Sequence, residues 1–341
     1  MDLDRSTEDF VWKDGERLIA YGPSALASLP AFLRATEMES YVVLTTEGRR
    51  TCAPEVIAGA EDVIELEPGR VDELAAAALE LVGDRPVVGV GGGRVIDTAK
   101  AVGGANGKPV GAVPTTLSGA PMTPFHRLPA NFSGRANHVR PKFVIAIPDL
   151  MSSQPNDLRV GSAMNALAHA IESAFVTTSS PVPRLVSKGA IELLFGALDQ
   201  DELPESIKRS KLALGAIEAG YSVGVTGYGI HHVICQTIVR LANVPHAPTY
   251  GVLLPYTLEV FKVRDAITFE MVAEAMGTRE PSLEIVKINK AAGLPISLSE
   301  LGVSSDLIEL IVAEASTRRE LNLTPGGADA NTVRALVEAA M

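Results

Sequence analysis

Cysteine is scarce in this chain, and so are long apolar runs and an excess of basic residues. The 341 residues include two cysteines, Cys52 and Cys235, which lie far apart in the sequence. Disulfide-dense secreted scaffolds are therefore excluded, and a reducing compartment is expected. The N-terminal stretch MDLDRSTEDF is acidic and lacks the apolar segment of a secretory leader. We therefore expect a cytoplasmic protein.

The charge balance and the hydropathy exclude two further classes. A formal net charge of -11 argues against a nucleic-acid or anionic-membrane partner, because either would require a basic face. No stretch approaches the run of about 18 apolar residues that a membrane-spanning helix needs. With 46% hydrophobic residues, the chain can bury a large core, and its length favours two domains. We expect a soluble protein that acts on a small molecule.

The order of the sequence patterns predicts two different domains. In residues 1–150, helical patterns alternate with strand-like runs: RLIAYG, YVVLTT, VIELEP, PVVGVGGG, PVGAVPTT and KFVIAIP. This alternation predicts an α/β domain with a doubly wound parallel sheet. In residues 151–341 the strands give way to amphipathic patterns such as GSAMNALAHAIESAFV, which predict an all-α domain. Stretches rich in Gly and Pro, such as VPHAPTYG, are predicted to be loops between its helices.

The stretch VVGVGGGRVIDTAKAVG places Gly91, Gly92 and Gly93 between a buried strand and a helix. Glycines allow a phosphate to approach the backbone, and the helix N-terminus offers unpaired N–H groups and a favourable dipole. A tight turn without a ligand is the alternative, and the glycines alone do not decide. Dinucleotide binding is favoured by polar residues on this helix and after the next strand, namely Asp97, Thr115, Thr116 and Ser118.

An acidic residue after the run YVVLTT indicates which dinucleotide is bound. A carboxylate at this place usually holds the ribose hydroxyls of NAD(H), and Glu47 occupies it. Arg49 and Arg50 follow and could instead hold a 2′-phosphate, so NADP(H) is the alternative. Glu47 could equally be an ordinary exposed loop residue.

Four of the six histidines lie in the predicted helical domain, residues 151–341, among mostly apolar residues. His169 follows Asn165 by one helical turn, so both lie on one face of the predicted helix. His231 and His232 are adjacent in GIHHVICQ, and His246 follows a proline. This spacing is compatible with two arrangements equally. Three of the histidines could converge on one cleft, or they could occupy scattered core positions.

Six motifs occur in the order, and at about the spacing, of the iron-containing (group III) alcohol dehydrogenases: GGGRVIDTAK, VPTTLSGAPMT, MNALAHAIES, GIHHVICQ, VPHAPTYGVLLP and LNLTPGGADANTVRALVEAA. The chain therefore resembles that family over nearly its whole length. The resemblance implies a Rossmann-like dinucleotide-binding domain followed by a helical domain. It also implies a metal held by an Asp, by a His four residues later, and by two further His residues fourteen apart. The matching positions are Asn165, His169, His232 and His246.

Asn165 departs from that metal-binding pattern. An amide oxygen binds Fe²⁺ or Zn²⁺ more weakly than a carboxylate does, so metal binding is left open by the sequence. The variants MNALAHA, HHVIC and PHA resemble one branch of the family, the maleylacetate reductases. That resemblance implies NAD(P)H-dependent reduction of an activated C=C bond in a dicarboxylic keto acid such as maleylacetate, a step in the degradation of aromatic compounds. Gln236, where the branch has histidine, and the segment TTLSGAPMT depart from it.

Reduction of such a substrate places charge on its ketone oxygen and then requires a proton. Imidazolium at His169, His232 or His246 could meet both needs without a metal, with Asn165 as a hydrogen-bonding orienter. The alternatives are a metal-dependent alcohol or aldehyde dehydrogenase of the same fold and a non-catalytic nucleotide sensor.

A dianionic substrate also requires cations in an otherwise acidic chain. The segment PFHRLPANFSGRANHVRPK is basic and includes Arg135, and it could form a flap over the substrate or be a solvated loop. We predict substrate-binding roles for Arg127, Arg140, Lys142, His231 and Gln236. The apolar segment FVWKDGERLIAYG could pair strands across a homodimer.

Overall fold

The computed structural model describes residues 7–134, 137–200 and 202–341. The chain divides into two compact units, of which the first extends to Ser153 and resumes over Pro204–Ile217. The second comprises Gln154–Leu203 and Glu218–Met341. The return of Pro204–Ile217 to the first unit differs from the predicted single boundary near residue 150. The Tyr21 hydroxyl donates to the Ser210 carbonyl at 2.7 Å, which ties this segment to the first unit.

The first unit contains a seven-stranded sheet within the described ranges. Its strands in chain order are β1 (Phe10–Asp14), β2 (Arg17–Tyr21), β3 (Val42–Thr45), β4 (Asp62–Glu65), β5 (Val87–Gly91), β6 (Val110–Pro114) and β7 (Phe143–Ala146). Their order across the sheet is β1-β2-β7-β6-β5-β3-β4. All neighbours are parallel except β1 and β2, which form an antiparallel hairpin at one edge. The six predicted strands are confirmed, and β1 is an addition to them.

Both faces of the sheet are buried, which explains why its strands are continuous apolar runs. Side chains alternate along a strand, so neighbouring valines enter different cores. Val88 packs with Phe32 and Val56 on one face, whereas Val87 packs with residues such as Val82 on the other. The helices of the described first unit are α1 (Leu29–Ala35), α2 (Pro54–Ala58), α3 (Val71–Val82), α4 (Gly93–Asn106) and α5 (Pro148–Met151).

The second unit is built from helices in its described part, as the amphipathic patterns predict. They are α6 (Asn156–Phe175), α7 (Pro181–Asp199), α8 (Glu205–Thr226), α9 (Ile230–Ala242), α10 (His246–Arg264), α11 (Ala266–Ala275), α12 (Pro281–Ala291), α13 (Ile308–Ala315) and α14 (Ala330–Ala339). The first half of α8 belongs to the first unit. Over the described residues, no helix is both long and apolar enough to span a membrane.

The prediction of a loop at VPHAPTYG is wrong, because His246 is the first residue of α10. Pro245 precedes the helix and Pro248 lies in its first turn, where backbone N–H groups have no intrahelical partner. A further proline, Pro255, lies inside α10 and cannot donate to the carbonyl of Gly251. The buried side chain of Asn289 donates to that carbonyl instead, at 3.0 Å.

Candidate functional site

The three predicted glycines end β5 and begin α4. Gly91 is the last residue of the strand, Gly92 precedes the helix and Gly93 begins it. A Cβ atom on Gly92 would lie 2.9 Å from Thr116 Cγ2, and one on Gly93 would lie 2.9 Å from Ser118 Oγ. A side chain at either position would therefore have to displace Thr116 or Ser118. We refer to Gly91–Gly93 as the glycine cradle.

The polar loop predicted beside the cradle follows β6, which is the parallel neighbour of β5. The Thr115 N–H donates to the Gly91 carbonyl at 2.9 Å, so the two strand ends are joined directly. Asp97, predicted to contact the cofactor, lies one turn into α4, and its Oδ1 is 2.7 Å from the ammonium of Lys100. The carboxyl ends of parallel strands are where nucleotides bind in such sheets.

Glu47 follows β3 at the same edge of the sheet and is exposed, as a ribose ligand must be. The two arginines after it have partners in the protein. Arg49 donates to Ser153 Oγ at 2.7 Å, and Arg50 lies 2.6 Å from Glu65 Oε1. A 2′-phosphate would have to compete with both contacts.

The basic segment after the polar loop lies in the first unit, and the residues predicted there to bind substrate stay predictions. Arg127 is half-exposed and lies 3.5 Å from Asp72 Oδ1. Lys142 is half-buried and lies 3.5 Å from Glu16 Oε1. Arg140 is half-buried, and its charge acts on Lys100 and Arg17. Arg135 lies outside the described residues.

The histidines of the second unit lie on three helices. The rings of His169 on α6 and His232 on α9 stack with centroids 4.7 Å apart. The ring of Tyr250 on α10 lies 4.9 Å from that of His232 and 4.4 Å from that of His246. His169, His232 and His246 thus surround one buried tyrosine, and we call these three residues the histidine group. Their apposition places three of the four predicted catalytic side chains together.

Glu172, which lies on α6 and was not among the predicted residues, orients His232. Its Oε2 accepts a short hydrogen bond from His232 Nδ1 and a 3.4 Å bond from the backbone N–H of the same residue. Its Oε1 accepts from the His231 N–H at 2.7 Å. The carboxylate therefore caps the N-terminus of α9 from another helix, where a negative charge is favoured.

These contacts also assign the tautomer of neutral His232. Because Nδ1–H donates to the carboxylate, Nε2 carries a lone pair and no proton. This Nε2 atom is buried and has no hydrogen-bond partner. Asn165 Oδ1 and His169 Nδ1 are also buried without a partner. Buried polar atoms of this kind cost free energy unless a ligand satisfies them. Because these three lie on residues of the predicted site, they identify it as a candidate binding site.

Burial contradicts one part of the imidazolium hypothesis. It lowers the pKa of His232 to about 3, and the charge of His246 acts in the same direction. Burial, followed by the charges of His232 and His246, holds the pKa of His169 well below its usual value. Both rings are therefore neutral near pH 7 and cannot supply imidazolium. His246 differs from them because it is exposed to solvent.

The prediction that His231 binds substrate is also at odds with its surroundings. The side chain is fully buried, and its Nδ1 lies 3.0 Å from Thr257 Oγ1. Its Nε2 lies 3.6 Å from Cys235 Sγ. Adjacent residues of a helix point about 100° apart, so His231 faces the core when His232 faces the site. His231 is a core histidine with both ring nitrogens paired.

Gln236, predicted to contact substrate, lies one turn after His232 on α9. Its Oε1 accepts from Arg318 Nη2 at 3.3 Å, and the same nitrogen donates to the Tyr228 hydroxyl at 3.1 Å. Arg318 is also paired with Glu320 at 2.7 Å. The Tyr228 ring lies 5.3 Å from that of His232, so this polar cluster adjoins the histidine group.

Two members of the site could have been found from the sequence. Glu172 follows Asn165 by seven residues and His169 by three, which places all three on one helical face. Tyr250 follows His246 by four residues, and that spacing carries meaning only once α10 is recognised as a helix. Arg318 has no local signal, because it lies 82 residues from Gln236 in sequence.

Family models and known proteins match this chain over most of its length. The model of the Fe-containing alcohol dehydrogenase family, C-terminal, matches residues 159–341, and that of iron-containing alcohol dehydrogenase matches residues 20–123. Maleylacetate reductase of Burkholderia cepacia is 30% identical over 336 residues, which cover 94% of each chain. The enzyme of the same name from Pseudomonas sp. (strain P51) is 28% identical over 84% of this chain and 85% of its own.

A solved structure has the same fold. The crystal structure of maleylacetate reductase from Rhizobium sp. strain MTP-10005 aligns with a TM-score of 0.83 over 98% of both chains. Its sequence is 23% identical to this one, so the likeness shows the fold alone.

Proposed function

This chain belongs to the iron-containing alcohol dehydrogenase family and is an oxidoreductase, and we propose that its substrate is an unsaturated dicarboxylic keto acid such as maleylacetate. The related enzymes named above support this proposal, because they match almost the whole chain at about 30% identity. The observation that carries it is the set of three buried, partnerless atoms on Asn165, His169 and His232. His169 Nδ1 can donate to a substrate oxygen in the tautomer that carries its proton there, whereas Asn165 Oδ1 and His232 Nε2 accept from a hydroxyl or N–H group.

The proposed reaction is a hydride addition followed by a protonation. Hydride from the reduced nicotinamide forms a C–H bond at the alkene carbon remote from the ketone, and NAD(P)H is oxidised to NAD(P)⁺. The electron pair of the C=C bond moves toward the ketone oxygen, which becomes an enolate. A proton then adds to the carbon beside the ketone, and the saturated keto acid results. The protein must orient the ketone and provide that proton.

The chain's own residues divide these tasks in our proposal. Glu172 holds His232 in one orientation and one tautomer, so that Nε2 accepts a hydrogen bond. Asn165 and His169 have buried polar atoms free for the substrate, which agrees with a hydrogen-bonding role for Asn165. His246 is exposed and can exchange a proton with water, so we assign it the proton donation.

The same side chains fit a divalent cation in their chemistry. Neutral imidazole nitrogen is a common metal ligand, and a carboxylate behind a ligating histidine is a frequent support. Asn165, His169 and His232 would hold the cation, with His246 as the fourth residue of the family pattern. Bound there, it would polarise a carbonyl oxygen as a Lewis acid. Within the described ranges, no three His, Cys, Asp or Glu side chains form a metal-binding group, so the amide would be needed.

This fit supports a second candidate, a metal-dependent alcohol or aldehyde dehydrogenase. It explains the partnerless atoms as metal ligands instead of substrate contacts. The amide at position 165 argues for the first candidate, because a carboxylate would hold Fe²⁺ or Zn²⁺ more tightly.

We propose NAD(H) as the cofactor and a homodimer as the assembly. Exposed Glu47 suits the ribose hydroxyls of NAD(H), and the partners of Arg49 and Arg50 disfavour the extra phosphate of NADP(H). For the dimer, β1 is an edge strand of the sheet in the described residues, and an edge strand can pair with a strand of a second copy. Gel filtration with light scattering would test the dimer.

The test of function is NADH oxidation by chelator-treated enzyme, followed by absorbance, with maleylacetate and separately with simple aldehydes. Turnover of maleylacetate, unchanged by added Zn²⁺ or Fe²⁺, is the expected result. Reduction of aldehydes only after metal addition, with no turnover of maleylacetate, would establish the second candidate instead. Repeating the assay with NADPH decides between the cofactors.

A further inference from the structure

The first unit buries two cations that contact the loop after β6. Lys100 on α4 is 0% exposed, and Arg17 on β2 is 4% exposed. Lysine and arginine are almost never fully buried unless they are paired, because removing a charge from water is costly. Their burial therefore requires a reason within the structure.

The Lys100 ammonium has all its contacts with one loop and one carboxylate. Its Nζ donates to the carbonyls of Ala120, Thr123 and Phe125 at 2.9, 3.1 and 2.7 Å. Asp97 Oδ1 lies 2.7 Å from the same nitrogen. An ammonium has three N–H groups, so this one has no donor left for a ligand. Lys100 acts on the loop and not on the cofactor directly.

Arg17 holds the same loop from β2. Its Nη2 donates to the Pro121 carbonyl at 3.1 Å, and its Nε donates to the Pro141 carbonyl at 3.1 Å. The loop contains Pro121 and Pro124, which have no N–H groups, and its carbonyls point inward. Two buried cations thus satisfy carbonyls that the loop cannot pair by itself.

The loop held in this way forms one wall of the glycine cradle. It begins at Thr115, whose N–H bonds to Gly91, and its Thr116 and Ser118 side chains abut Gly92 and Gly93. A displacement of the loop would therefore change the space into which a pyrophosphate must fit. Arg140 adds to the positive charge at Lys100 and Arg17, whereas Asp97 and Asp14 oppose it.

We propose that Lys100 is a positioning residue for the dinucleotide, because its buried ammonium fixes the 115–125 loop against α4 and so sets the wall of the glycine cradle. This inference rests on the proposed cofactor site. Arg17 is the second support of the same loop. Neither side chain touches the cofactor in this proposal, and both act through the loop.

The test is the dissociation constant of NADH, measured by fluorescence titration of the full chain without substrate. Lys100→Met keeps the length of the side chain and removes its three donors. We expect the Kd of NADH to rise by at least about tenfold, because several buried carbonyls lose a charged donor at once. Arg17→Lys keeps the charge but cannot reach both Pro121 and Pro141, and a smaller rise is expected.

Two controls separate positioning from a general loss of stability. Val82→Ala creates a cavity in the α3 core away from the loop, so it lowers Tm and leaves the Kd of NADH within about twofold of wild type. Lys108→Met removes a lysine just after α4, and we expect it to change neither Tm nor the Kd of NADH. If Lys100→Met and Arg17→Lys lower Tm but bind NADH as wild type does, the inference is overturned.

If Lys100→Met does not fold, Arg17→Lys alone decides. An unchanged Kd of NADH for Arg17→Lys then overturns the inference. A wild-type chain that binds no NADH removes the proposed cofactor and this inference together. Binding by wild type with unchanged binding by both variants removes only the inference about the loop.

Discussion

Replacing Glu172 by Gln should reduce turnover and leave cofactor binding intact. The carboxylate accepts from the His231 N–H through Oε1 and from His232 N–H and Nδ1 through Oε2. Glutamine has one carbonyl oxygen and one NH₂ group in the same positions. Whichever way the amide turns, two donors meet on one side. When the NH₂ group faces His232, its clash with Nδ1–H is relieved if His232 moves its proton from Nδ1 to Nε2.

The size of the effect follows from the bonds that change. A hydrogen bond to a charged group contributes about 1.5–3 kcal/mol, and Glu172→Gln removes the charge from the bond that fixes the His232 tautomer. If the active tautomer becomes less favourable by this amount, kcat falls by about ten- to 150-fold. Stability should fall by a similar free energy, because α9 loses a charged cap.

The assay compares kcat, the KM of the keto acid and the Kd of NADH for Glu172→Gln and wild type. Glu270→Gln, a change at an exposed position of α11, is the matched control and should be indistinguishable from wild type. A Glu172→Gln enzyme with kcat within about twofold of wild type would refute the tautomer argument. A loss confined to Tm would show that Glu172 only caps α9.

Two further changes test charge at other buried positions. Asn165→Asp restores the carboxylate of the family pattern and should tighten Zn²⁺ binding by at least about tenfold. Calorimetry on chelator-treated protein measures this affinity. Equal Zn²⁺ affinities of variant and wild type would remove Asn165 from the set of metal ligands. Burial, with the nearby Glu192 carboxylate, raises the pKa of Glu218 to about 7. Between about pH 4.5 and pH 7 the native state therefore keeps a proton on Glu218 that the unfolded chain has released. The contribution of Glu218 to stability should therefore fall by about 1–3 kcal/mol between about pH 5 and pH 8. Urea unfolding should show this as a pH-dependent difference between wild type and Glu218→Gln.

The sequence predicts the sheet well because apolar runs and the glycines that end them are both local signals. Val87 and Val88 face opposite cores, so the run is apolar throughout, and the glycines that follow mark the end of β5. The start of α10 was missed because prolines around His246 resemble a loop, although the first turn of a helix tolerates them. The Lys100 contacts and the Arg318 contact to Gln236 join residues 20 to 82 positions apart, and no local pattern carries such pairings.

Charge explains how the chain can have an amide at position 165. The histidine group is neutral where it is buried, and Glu172 is the carboxylate that the described structure places against it. Burial raises the pKa of Glu172, and three donors to that carboxylate together with the positive end of the α9 dipole oppose the shift. An aspartate at position 165 would bury a second carboxylate on the same face of α6 and would require a cation to offset the repulsion. Asn165 adds no second buried charge beside Glu172, so position 165 does not itself require a cation to balance it.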